Sequence, residues 1–213
     1  IQHLLATRAV QTNEVARCAY LLPALACAAE LAEGRPLALI EIGASAGLNL
    51  MADQYRYLYR VAGGWIAAGA VNSPVQITTE LHWRLPAAQA DHPAQALLPS
   101  SADLSLVTPV VQQRIGIDLH VVNLADDDAY LWLRALIWPE HEDRVQRLAQ
   151  ARQVWLAQPP QLVEGDAVSQ LPALLETLPM TAAPVLLHTH VLNQFSPPAA
   201  AALEAAIAAA SRQ

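Results

Sequence analysis

The sequence predicts an α/β fold: a mostly parallel sheet carrying an inserted, mainly helical lobe. Three observations carry that expectation. Residues 37–42, "LALIEI", form a continuous apolar run interrupted by one glutamate, the pattern of a strand covered on both faces. Strand-like and helix-like segments alternate along the chain, which favours parallel pairing through helical crossovers. The stretch 81–157 is too long for an ordinary connection and reads as the inserted lobe. The 213 residues, 54% hydrophobic and 15% charged, suffice for one sizeable core and are read as a single domain.

The elements follow in order. Residues 3–33 read as helical, with Val15, Ala19, Leu22, Ala26 and Ala29 near helical spacing and Pro23 as a point of division. Gly34-Arg35-Pro36 ends that helix, the strand 37–42 follows, and a helix is expected over about 46–54. The aromatic and β-branched residues of 55–66 surround Gly63-Gly64 and predict a hairpin. After Ser73-Pro74 comes a strand, "VQITTE", ending at Glu80. Residues 84–110, rich in Pro, Ala and Ser, read as a long loop or lid, and 114–123 as another strand. Helices are expected over 126–157, broken at Trp138-Pro139, with Trp132 and Trp138 in the core of the lobe. A core strand at 161–167, a short helix at 169–178, a strand at 184–192 and a last helix at 199–210, capped at Ser196-Pro197-Pro198, complete the chain.

Composition excludes several functions. The net charge is −7 and no basic run occurs, so no nucleic-acid partner is expected. All twelve basic residues are arginine. The absence of lysine removes the Walker A loop and Schiff-base chemistry from this sequence. Cys18 and Cys27 lie on opposite faces of one helix and cannot bridge within it, so they read as reduced thiols of a cytoplasmic protein. No apolar run reaches the roughly 18 residues a membrane span needs. The chain starts at Ile1 without methionine and ends in an alanine-rich helix, so a fragment of a longer protein is expected.

The chemistry concentrates in "EIGASAG", residues 41–47, where two motifs overlap. Gly43-Ala44-Ser45-Ala46-Gly47 fits the G-x-S-x-G nucleophile elbow, and Asp166 with His188 or His190 supplies a triad in the right chain order. No HGGG-type oxyanion segment precedes it, and Glu41 has no task beside a serine elbow. The same letters fit an acidic residue followed by a small-residue loop that lets a ligand approach the backbone. The G-x-G-x-x-G dinucleotide loop is absent, because Ser45 and Leu48 stand at its second and third glycines. His188 and His190 also form an H-x-H pair, and with the acid-rich "PEHEDR" (139–144) they give a third, metal-hydrolase arrangement; no metal site is expected, since 140–144 reads as a solvated helix start. Tyr55, Tyr57 and Tyr59 alternate and would share one face of a hairpin, either at a substrate mouth or packed on the fold.

"EIGASAG" resembles motif I of class I S-adenosylmethionine-dependent methyltransferases, an acidic residue before G-x-G-x-G, with Ser45 at the middle glycine. That resemblance implies a Rossmann-like sheet and S-adenosylmethionine as cofactor. It implies cofactor contacts from Glu41, Gly43, Ala44, Ser45, Gly47 and Asn49, ribose binding by Glu80, and adenine binding at Asp166 and Ala167 in "EGDA". The reading left beside it for Asp166 is a helix cap. Across nearly the whole chain, "QTNEVARC" (11–18), "EIGASAGLNL" (41–50), "DQYRYLY" (53–59), "WLRALIWPEHEDRVQRL" (132–148) and "EGDA" (164–167) are similar to a bacterial family, domain-of-unknown-function family 2332, whose members are longer. Within that similarity Asn13 and Glu14 are carried as pocket residues, with plain surface polarity as the alternative. Methyl transfer needs alignment more than acid–base help; His188 and His190, taken to share one strand face, are the candidate bases, and Asn193 a hydrogen-bonding group at the same edge. The expected activity is methyl transfer to a small molecule or protein. The alternatives are the serine hydrolase and a non-catalytic binding module.

Overall fold

A computed structural model describes residues 8, 10, 13–61, 63–81 and 108–210. The first turn of the expected N-terminal helix and most of the expected lid lie outside them. Four strands form a parallel sheet: β1 (Leu37–Ile42), β5 (Val111–Asp118), β6 (Gln161–Glu164) and β7 (Ala183–His188), in the order β6-β5-β1-β7. From β1 the chain steps outward to β5 and β6, then returns to the other side of β1 as β7. The winding therefore reverses between β1 and β7, where a crevice opens beyond the carboxyl ends of a parallel sheet.

Alternation sorts the sheet's two faces. Ile40, Ile42, Ile115 and Ile117 pack with Leu171 and Leu174 of α4 (Ala167–Glu176) and Leu203 of α5 (Pro197–Ala210). Leu37 and Leu39 face the other way. They join Leu22 and Leu25 of α1 (Cys18–Leu31), Leu50 and Met51 of a 3₁₀ segment (Asn49–Gln54), and Leu148 and Trp155 of α3 (Glu142–Ala157). Every residue of β1 is buried, Glu41 included, as a strand covered on both faces requires.

The expected hairpin is present: β2 (Arg56–Val61) pairs antiparallel with β3 (Gly64–Gly69). Its continuation overturns one expectation. β4 (Gln76–Glu80) pairs parallel with β2, so β3-β2-β4 is a separate three-stranded sheet and Glu80 does not end a strand of the main sheet. Tyr55, Tyr57 and Tyr59 are fully buried under this sheet, which removes them from any substrate mouth. Their hydroxyls donate to the carbonyls of Leu48, Ala52 and Ala19, and the Tyr57 and Tyr59 rings stack 5.8 Å apart. Tyr57→Phe removes one of two donors to the Ala52 carbonyl, leaving the Tyr55 amide at 3.4 Å, and is expected to lower unfolding stability by about 1 kcal/mol, read from the midpoint of chemical denaturation.

The inserted-lobe expectation for 81–157 also changes. Within it β5 is an inner strand of the main sheet, and α2 (Asp127–Ala135) and α3 form the crossover from β5 to β6. The break at Trp138-Pro139 is where it was expected, but Trp138 is exposed, Trp132 is half-buried, and Trp155 supplies the buried indole. After β1 the chain turns and forms only the 3₁₀ segment where an α-helix was expected.

Candidate functional site

The strand tips end level. Ile42 pairs with Ile117 on one side and His188 on the other, and Asp118 pairs with Glu164. The segments leaving the tips therefore meet at one edge, around a cavity of about 280 Å³. β1 contributes Gly43 and Ser45, and β5 contributes Asp118 and Leu119. The β6 exit brings Gly165, Asp166 and Ala167; the β7 exit brings Thr189, His190, Val191 and Phe195; Arg17 closes one side from the start of α1.

The loop after β1 is held by its backbone. The Gly43 and Ala44 amides donate to the Ile117 carbonyl at 2.8 and 3.2 Å, and the Val122 amide donates to the Ser45 carbonyl at 3.1 Å. The Trp155 indole donates to the Ala46 carbonyl at 2.9 Å. Gly43 has φ +73°, and a Cβ there would sit 2.6 Å from Val191, so only glycine fits both the turn and the neighbour. Gly116 was not singled out in the sequence, yet a Cβ on it would lie 2.7 Å from that of Ala44. It lets β5 press against the loop. Gly47 has φ +71° and packs under Pro160.

Ser45 takes φ +51° and is nearly buried. Its amide donates to Asp118 Oδ2 at 2.8 Å, while Asp118 Oδ1 accepts from the His120 amide at 2.9 Å. The Ser45 hydroxyl has no hydrogen-bond partner among the described residues. No histidine activates it there, as a nucleophile would need.

Asp118 is a cavity-lining acid that the sequence reading did not single out. It ends the alternating run "RIGID", and reading the strand on to residue 123 hid that end. Glu80, named for its place, carries a 56% exposed side chain and lies 3.4 Å from Arg60 on the separate sheet, a solvent-facing pair of little energetic weight. Asp166 lines the cavity and caps α4, accepting from the Ser169 amide at 3.1 Å, so the helix-cap reading is seen directly.

Glu41 stands one layer behind the cavity. It is fully buried, and Oε1 accepts from Asn49 Nδ2 at 2.6 Å. The same Nδ2 lies 3.3 Å from Thr189 Oγ1, which accepts from Arg17 Nη1 at 2.9 Å. Glu41 and Asn49 thus reach the cavity only through Thr189 and Arg17. Burial pushes the Glu41 carboxyl up to about 8 from an ordinary 4.5, with the Asn49 hydrogen bond and Arg17 pulling the other way. Burial, then the neighbouring Glu41, also raises the Cys18 thiol; neither Cys18 nor Cys27 forms a disulfide.

A raised folded-state value gives a definite pH dependence. Below about 4.5 both folded and unfolded chains keep the proton; between 4.5 and about 8 only the folded chain does. Across that window stability falls as pH rises, by about 1.4 kcal/mol per unit from this group. Glu41→Gln is therefore expected to match the parent near pH 4.5 and exceed it in stability at pH 8. Denaturation midpoints of the two proteins across this range check the difference.

Three further expectations are corrected. β7 stops at His188, which is exposed and outside the cavity lining; His190 lies beyond the strand with φ +61°, so the two do not share a strand face, and only His190 lines the cavity. Asn193 is exposed in the following 3₁₀ turn and does not line it. Glu14 caps the turn before α1 and forms ion pairs with Arg144 and Arg147 of α3, away from the cavity. Asn13, beside it, is half-buried and outside the lining, and its amide nitrogen has no partner among the described residues. Those residues hold no group of three or more His, Cys, Asp or Glu able to bind a metal, and no helix long and apolar enough to cross a membrane.

The family model described as "Uncharacterized protein conserved in bacteria (DUF2332)" matches residues 1–213. No curated protein and no solved structure matches the chain.

Proposed function

The chain belongs to the bacterial DUF2332 family, and we propose that it binds S-adenosylmethionine and transfers its methyl group to a small molecule or protein. One observation carries the reading: the turn Gly43-Ala44-Ser45, Asp118 and Asp166 meet at a single cavity beyond level parallel strand tips, beside the point where the winding reverses. The strand order supports a Rossmann-like, methyltransferase-type sheet. The volume lies near the lower end of ligand pockets, roughly 300–1,000 Å³, and suits one nucleoside-sized molecule.

The residues fit an adenosine-type group. Gly43 lines the cavity without a side chain, where a ligand would lie flat against the loop. Asp118 lines the cavity with its carboxylate fixed by the Ser45 and His120 amides, and a carboxylate is an acceptor suited to ribose hydroxyls. This role passes from Glu80 to Asp118. Asp166 and Ala167 border the place for adenine, and Val191 and Phe195 add apolar surface. Bound there, S-adenosylmethionine supplies an already activated methyl group on a sulfonium. The chain's own work is to align the acceptor and exclude water. His190, the cavity's imidazole, is the group to take the acceptor's proton.

Calorimetry of the chain with S-adenosylmethionine and S-adenosylhomocysteine is expected to give saturable binding at one site. Labelling of Ser45 by a fluorophosphonate, with no such binding, would support the hydrolase instead. Neither binding nor labelling would leave the non-catalytic module.

A further inference from the structure

The cavity is electrically polar, and its cationic end is unanswered. Asp118 and Asp166 stand at the β5 and β6 tips; Arg17 stands at the β1–β7 side. Arg17 is half-buried, and among the described residues it makes no ion pair. Its hydrogen bond goes to the neutral hydroxyl of Thr189 at 2.9 Å. A guanidinium has five N–H donors in a rigid fork that matches a carboxylate or phosphate. The acid nearest in this network, Glu41, does not neutralise it, because burial keeps that carboxyl protonated at neutral pH.

We propose that Arg17, steadied by Thr189, is an anion anchor, so that the cavity's ligand carries a carboxylate or phosphate at the end opposite its hydroxyl-bearing part. This rests on the adenosine reading for the opposite end only. The anion has two possible sources: the amino-acid carboxylate of the cofactor, or an acidic group on the methyl acceptor.

Two measurements on the full chain test it. In the first, the Arg17 Nε–H resonance, assigned by its loss in Arg17→Gln, is followed by NMR during titration with acetate and with inorganic phosphate. A saturable shift with either anion is expected; no shift with both overturns the anchor, whatever adenosine does. In the second, calorimetry compares adenosine with S-adenosylhomocysteine. A cofactor source predicts that Arg17→Gln weakens S-adenosylhomocysteine roughly tenfold to a hundredfold and leaves adenosine unchanged, with Arg17→Lys intermediate. An acceptor source predicts the anion-induced NMR shift with both nucleosides unaffected by the variant. Failure of adenosine and S-adenosylhomocysteine alike to bind the parent protein sinks the methyltransferase reading, while the NMR result still decides the anchor.

Discussion

Arg114→Ala is expected to lower unfolding stability by about 3–5 kcal/mol. Arg114 lies on β5 with its side chain 6% exposed, and its Nη2 reaches Asp53 Oδ2 at 2.5 Å. Its Nε donates to the Leu50 carbonyl at 3.1 Å. These bonds tie an inner strand to the 3₁₀ segment that comes after the β1 turn. Removing the guanidinium leaves Asp53 as a buried charge whose Oδ2 keeps the Gln54 amide at 2.6 Å but no cation, and Oδ1 of that residue already has no partner among the described residues. The loss comes from the stranded carboxylate more than from the missing attraction, since desolvation offsets much of a buried pair's Coulomb energy. The double variant Asp53→Leu, Arg114→Met should therefore recover a large part of the stability. Chemical denaturation of both variants checks this; a double variant as unstable as the single one would contradict it.

The second large effect falls on binding. Asp118→Asn is expected to weaken S-adenosylhomocysteine by roughly tenfold to a hundredfold. An asparagine amide in place of Oδ2 would point N–H at the Ser45 amide, which donates there now at 2.8 Å. The loop loses its latch, and the ligand loses an anionic acceptor. Flipping the amide moves the same conflict to the His120 amide on Oδ1. Glu80→Gln, on the separate sheet, should leave affinity unchanged.

The sequence showed β1 and its turn well, because "LALIEIG" records burial on both faces and the need for a positive φ in adjacent letters. The pairing of β4 was not legible. "VQITTE" marks a strand, but nothing in those letters says that it joins β2 instead of β1. Glu80 was misplaced for that reason alone. Asp118 was within reach, as the first charged residue after an alternating apolar run. His190 was misjudged because alternation was carried past the end of β7 into a left-handed residue. Glu14 finds its arginines more than a hundred positions along the chain, a distance no local pattern spans. Arg17 was overlooked for a similar reason: its partner Thr189 comes from the far end of the sheet's winding.

The central claim is that the turn after β1 and the β5 and β6 tips together seat an adenosine-type ligand. A crystal structure of the chain grown with S-adenosylhomocysteine tests it most directly. The account predicts the adenosyl group in the cavity beside Gly43, with both ribose hydroxyls within hydrogen-bond distance of the Asp118 carboxylate. Ligand density against Glu80, or anywhere else with this cavity left empty, would contradict it.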